Sequence, residues 1–136
     1  AGRMAEMVQR IFDNLRVEQP VERFNWSIYG DDRLHHPETR ADPARFPADA
    51  AILERATIRV ERQTLSKLPA SGAILFTIRI HVDPMAALAR HPEGARLAAG
   101  LREQLLGLDS AQLAYKGLAT ARERLAAALE SLSGEG

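Results

Sequence analysis

The sequence predicts an α+β fold in which helices cover an antiparallel sheet of three or more strands. The predicted elements run helix, strand, long loop, two hairpin strands and then helices. They lack the regular alternation of strand and helix that is typical of a parallel sheet. The chain has 136 residues, 46% of them hydrophobic, which is enough for one core. We therefore expect residues 1–136 to form a single domain.

The first part of the chain predicts one helix and one strand. Apolar residues recur every three or four positions between Met4 and Leu15, the spacing of an amphipathic helix packed on a core. Pro20 ends that pattern, and VERFNWSIY at 21–29 alternates apolar and polar side chains as a strand does. Residues 30–50 contain three prolines and no periodicity, which predicts a surface loop.

A β-hairpin is predicted next. The two runs Thr57–Lys67 and Ala73–Val82 are rich in β-branched residues and are joined by LPASG. Asp83 and Pro84 then form a helix-start signal, for a short helix that ends before Pro92.

The last third of the chain predicts two further helices. HPEGARLAAGLREQLLGL restarts a helical pattern, and DSAQ at 109–112 resembles the capping box of a final helix. The apolar stripe of that final helix consists of Leu118, Ala121, Leu125, Leu129 and Leu132.

The composition excludes several kinds of site and partner. Acidic and basic side chains balance at 18 each, so no net charge attracts nucleic acid or an anionic membrane. The chain has no cysteine, which excludes disulfides, zinc–thiolate sites and cysteine-ligated haem or iron–sulfur clusters within it. It shows no signal-peptide pattern and no apolar run as long as a membrane span. We expect a cytoplasmic protein that binds neither nucleic acid nor membranes.

The hairpin strands carry many hydrogen-bonding side chains. If the turn centres on Ala70, polar residues of the two strands gather as neighbours on one face of the sheet. The expected pairs are Glu61 with Arg79, Gln63 with Thr77, and Arg59 with His81. A face that orders hydrogen bonds around a ligand has such short polar groups between its charges. The alternative is a solvated face with ordinary cross-strand ion pairs.

Four strings of residues are distinctive. They are NWS at 25–27, RVERQTL at 59–65, the LP and SGAILFTIR that follow, and YKGL at 115–118. In this order they resemble the haem-dependent oxidative N-demethylase family, over most of the chain. The string ERQTL…LP…FTIR is the most specific part of the resemblance.

The resemblance implies an α-subunit with a PAS-like fold that binds haem b and oxidises a small amine, such as dimethylamine, with oxygen. It also implies a partner subunit, because the electrons start at NADPH and arrive through flavin and iron–sulfur carriers. Family members have an IHxPVP-like segment before the helix that opens this chain, and its histidine is the expected iron ligand. We therefore expect this chain to be the family's C-terminal half, with the haem ligand outside it. We also expect it to expose an apolar patch or to cover that patch in a homodimer.

The resemblance gives the polar face of the hairpin a catalytic role. We expect Glu61 to hold the substrate ammonium and Arg79 to donate hydrogen bonds near the bound oxygen. Gln63 and Thr77 would orient those two side chains, with Arg59 and His81 beside them. The alternative is a PAS-like sensory or interaction module that keeps the scaffold and lacks the chemistry.

Other candidate sites are weaker. His35, His36 and His91 are expected at the surface, and only His81 shares the polar face as a candidate iron ligand. No metal site is predicted from the chain's own residues, and the sequence has no glycine-rich phosphate loop or nucleophile elbow.

Overall fold

The structure, a computed structural model, describes residues 2–34, 46 and 51–134. Its elements are α1 (Arg3–Asn14), β1 (Val21–Tyr29), α2 (Ile52–Arg55), β2 (Thr57–Lys67), β3 (Ile74–Pro84), a 3₁₀ helix (Met85–Arg90), α3 (Gly94–Leu106), α4 (Ser110–Lys116) and α5 (Arg122–Ser133). Three antiparallel strands together with helices confirm the predicted α+β class. A PAS-like topology stays a prediction. No helix in the described ranges is long and apolar enough to cross a membrane.

The sheet has the strand order β1-β2-β3, so β2 is central and β3 is an edge strand. In the turn between β2 and β3, the Leu68 N–H donates to the Ala73 carbonyl at 2.8 Å. The Gly72 N–H donates to the Leu68 carbonyl at 2.9 Å, and Gly72 has a φ of 70°, which glycine adopts without strain. These bonds confirm the predicted hairpin and centre its turn between Ala70 and Ser71.

The chain divides into two compact units. Unit 1 comprises Ala1–Trp26 and Val60–His81, and unit 2 comprises Ser27–Arg59 and Val82–Gly136. The single domain expected for residues 1–136 stays a prediction.

Unit 2 contains an apolar core. Helices α3 and α5 pack against each other, and Leu105, Leu125 and Leu129 are fully buried. Met85, at the start of the 3₁₀ helix, is also fully buried, and its N–H donates to the Ala56 carbonyl at 2.9 Å. Apolar burial of this kind is the main force that holds helices together.

The predicted helix start at Asp83 and Pro84 is wrong. Strand β3 continues through Pro84, which has the extended angles φ −59° and ψ 137°, and no side chain caps the 3₁₀ helix that follows. The bond from Met85 to Ala56 continues the pairing beyond Pro84, so the extended conformation prevails over the local helix signal. The predicted end before Pro92 is confirmed, because the 3₁₀ helix ends at Arg90.

The final helix of the sequence prediction is divided in two. Its capping box is confirmed, because Asp109 Oδ1 accepts the Gln112 N–H at 2.7 Å and Gln112 Oε1 accepts the Asp109 N–H at 2.9 Å. Gly117, with a φ of 68°, then ends α4 in the left-handed conformation. The Leu118 N–H bonds back to the Leu113 carbonyl at 2.9 Å, as in a Schellman motif. This gives the glycine of YKGL a structural role.

Unit 1 has very little core. Among its described residues only Leu15 is a buried hydrophobic, at 4% exposure. Its exposed large apolar side chains are Met7, Val8, Phe12, Val17, Val21, Phe24, Leu68, Ile74, Leu75, Phe76 and Ile78. The apolar patch that we expected, or its cover in a homodimer, stays a prediction.

Candidate functional site

The hydroxyl groups of Thr64 and Thr77 are hydrogen-bonded to each other, which places both side chains on one face of the hairpin. Because successive side chains of a strand alternate between faces, Arg62 and Arg79 lie on that same face. We call the face that carries Arg62, Thr64, Thr77, Arg79 and His81 the outer face.

The other face of the hairpin carries Glu61, Gln63 and Leu65. Gln63 and Leu65 line one groove together with Ile74 and Phe76 of β3. This observation independently supports the alternation set by Thr64 and Thr77. We call this side of the sheet the groove face.

The predicted pairing of Glu61 with Arg79 and of Gln63 with Thr77 is therefore wrong. The turn is centred half a residue beyond Ala70, and a shift of one position in the opposite strand moves each of its side chains to the other face. Glu61 and Arg79 consequently lie on opposite faces of the sheet. The expected pairing of Arg59 with His81 stays a prediction, because Arg59 belongs to unit 2 and His81 to unit 1.

Strand β1 extends both faces of the sheet. Val21 and Arg23 line the groove, so they belong to the groove face. Glu22, between them, belongs to the outer face, where its Oε2 accepts hydrogen bonds from Arg62 Nε at 2.7 Å and Arg62 Nη2 at 2.6 Å. Both side chains of this ion pair are exposed, so it contributes about 0–1 kcal/mol to stability.

Helix α1 forms the second wall of the groove. Its apolar stripe, predicted from the sequence, contributes Val8, Ile11 and Phe12. The groove has a volume of about 490 Å³, within the range of small-molecule sites. Arg23 and Gln63 are the polar residues among those that line it, and the others are apolar. The groove therefore suits a ligand with an apolar body and a few polar groups.

Glu61 and Gln63 form a polar pair on the groove face. Gln63 Nε2 donates to Glu61 Oε2 at 3.1 Å, and both residues are half-buried. This bond restrains the carboxylate. A carboxylate held in this way, on the same face as the groove, can bind the N–H groups of an alkylammonium ion.

Residues 1–126 match the family model described as haem-dependent oxidative N-demethylase, alpha subunit-like. The chain belongs to this family. The match includes α1, the whole sheet and the groove residues, and it confirms the resemblance seen in the four strings. The name of the family describes a haem-dependent enzyme. The words alpha subunit-like indicate an enzyme of several subunits.

The groove of this N-demethylase family member does not by itself form a haem site. Haem iron takes axial ligands such as His, Cys, Met or Tyr, and the residues that line the groove include none of these. No group of three His, Cys, Asp or Glu that could hold a metal ion occurs within the described ranges. We therefore assign no step of the chemistry through haem.

The remaining candidates lie elsewhere. Arg79, Thr77 and His81 are exposed on the outer face. His91 accepts a hydrogen bond from the Glu93 N–H through Nδ1 at 3.0 Å, which is a structural contact before α3. His35 and His36 lie outside the described residues.

Arg59 contacts other residues of unit 2 and has a structural role there. Its Nη1 donates to the Leu34 carbonyl at 3.0 Å, and its guanidinium lies 5.4 Å from the centroid of the Tyr29 ring. A cation–π contact of this kind contributes about 0.5–1 kcal/mol. Arg59 therefore anchors the segment that follows β1.

Arg23 is the site residue that the sequence prediction missed. Alternation in β1 placed Arg23 on the polar side of a strand whose apolar side was expected to face the core. In the structure that polar side faces the groove, while Phe24 on the outer face is 63% exposed. The presence of an apolar α1 next to the sheet was the available signal, but the sequence does not say which face α1 covers.

Proposed function

We propose that this chain is the amine-binding part of a haem-dependent oxidative N-demethylase that acts on a small secondary amine. The observation that carries the proposal is the family match over residues 1–126. The groove supports it, since it offers an apolar space on the face of the sheet that also carries the Glu61 carboxylate. The family name describes an enzyme subunit and does not favour a sensory module.

In this proposal the groove face binds the substrate. The Glu61 carboxylate accepts hydrogen bonds from the substrate ammonium, and Gln63 holds that carboxylate in place. The apolar side chains of Val8, Leu65 and Ile74 contact the alkyl groups. Arg79 and Thr77 are excluded from this site because they lie on the outer face.

The family name also guides the proposal for cofactor and partners. We propose haem b as the cofactor, which supplies the oxidation when bound. We propose further that a separate flavin and iron–sulfur reductase subunit delivers the electrons from NADPH. A cytoplasmic location accords with that source of electrons.

We expect Glu61→Gln to weaken amine binding about tenfold to a hundredfold. The substitution keeps the shape of the side chain and removes the charge that pairs with an ammonium ion. The loss of a charge-assisted hydrogen bond in a partly desolvated site costs about 1.5–3 kcal/mol. In full-length protein that carries this sequence, calorimetric titration with dimethylamine measures the affinity, and the growth of the Soret band on adding haem measures haem uptake, which should not change.

Glu22→Gln is the matched control for this prediction. It removes the same charge from the outer face, where Glu22 pairs with Arg62, and it should leave amine affinity within about twofold of the parent. Equal amine affinity in the Glu61→Gln variant and the parent would make Glu61 a structural strand residue. A full-length parent protein, carrying this sequence, that takes up no haem and shows no amine-dependent oxygen consumption with its reductase would contradict the proposed function itself.

A further inference from the structure

The groove carries a second charged group that a simple amine does not use. Arg23 lines the groove, yet among the described residues it forms no hydrogen bond or ion pair. Glu61 lies on the same face with its hydrogen bond from Gln63. The groove face therefore carries an anionic side chain, Glu61, and a cationic side chain, Arg23, that lines the groove.

The size and the lining of the groove also exceed the needs of a simple amine. A volume of about 490 Å³ with mostly apolar walls is far larger than a molecule such as dimethylamine. Phe12 and Phe76, on facing walls, offer aromatic surface to a ligand side chain. A guanidinium beside such walls is suited to a carboxylate, which it can bind through two parallel hydrogen bonds.

We propose that the groove binds an N-alkyl amino acid with an apolar side chain. This inference rests on the proposed function and specifies its substrate class. The secondary ammonium binds at Glu61, the carboxylate binds at Arg23, and the side chain lies against the apolar walls. An N-alkyl amino acid has both an ammonium for Glu61 and a carboxylate for Arg23, whereas a simple amine has the ammonium alone.

The test compares two ligands that differ in the carboxylate alone. N-Methylphenylalanine carries the secondary amine, the apolar side chain and the carboxylate, and N-methylphenethylamine lacks the carboxylate. By calorimetric titration the amino acid should bind about tenfold to a hundredfold more tightly. Arg23→Gln should remove this advantage and leave the affinity for N-methylphenethylamine unchanged, and Arg23→Lys should restore part of it.

Arg79→Gln is the matched control, because it removes the same charge from the outer face and should alter neither affinity. Far-UV circular dichroism verifies that each variant is folded. If both ligands bind the parent equally and Arg23→Gln changes neither, the proposed substrate class is wrong while the proposed function stands. If neither ligand nor dimethylamine binds the parent, the proposed function fails and the inference fails with it.

Discussion

Replacing Gly94 with alanine should destabilise the protein by about 1–3 kcal/mol. Gly94 begins α3, and a Cβ added there would lie 1.7 Å from the carbonyl oxygen of Leu88 and 2.8 Å from its carbonyl carbon. Both are backbone atoms, so a side-chain rotation cannot relieve the overlap. Either the 3₁₀ helix or the start of α3 has to move. Urea denaturation followed by circular dichroism measures the loss.

Gly100→Ala is the matched control within the same helix. A Cβ at Gly100 would meet no heavy atom within 4 Å, so this substitution should stabilise α3 by about 0.5–1 kcal/mol. The two substitutions should therefore change the free energy of unfolding in opposite directions. Equal effects would mean that the 3₁₀ helix does not pack against Gly94 as the structure shows.

Replacing Leu129 with alanine should cost about 2–5 kcal/mol of stability. Leu129 is fully buried in α5, which packs against α3. The truncation removes apolar contacts and leaves a cavity that the surrounding helices fill only in part. The denaturation midpoint should fall while the slope of the transition stays the same.

Leu132→Ala is the control for Leu129→Ala, with the same change in the same helix. Leu132 is half-buried, so its truncation should cost about 1 kcal/mol. A loss at Leu132 as large as that at Leu129 would contradict the packing of α5 in the structure.

The elements that local signals determine were predicted well from the sequence. The bounds of β1 and β2 and the capping box at Asp109 follow from strand alternation and from short-range hydrogen bonding. The family could also be recognised from the sequence, because its strings of residues are short and specific and follow one another in the expected order. These signals act within about a dozen residues, so they do not depend on packing that the sequence leaves undetermined.

The features that tertiary contacts determine were not predicted. The face of the hairpin on which Arg79 lies depends on whether the turn centres on Ala70 or half a residue later, and LPASG is compatible with both. The role of Arg23 depends on which face of the sheet α1 covers. The Asp83–Pro84 signal was overridden by a backbone bond between Met85 and the distant Ala56. For Arg23 and for Asp83–Pro84 a long-range contact decided the outcome, whereas for Arg79 the turn sequence allows two registers.

The position of the amine on the groove face is tested most directly by nuclear magnetic resonance of isotope-labelled protein titrated with dimethylamine. The side-chain amide of Gln63 and the methyl groups of Leu65 and Ile74 should shift together and saturate with one affinity. Shifts confined to Thr64 and Thr77 on the outer face, or no shift at saturating amine, would contradict the proposed site.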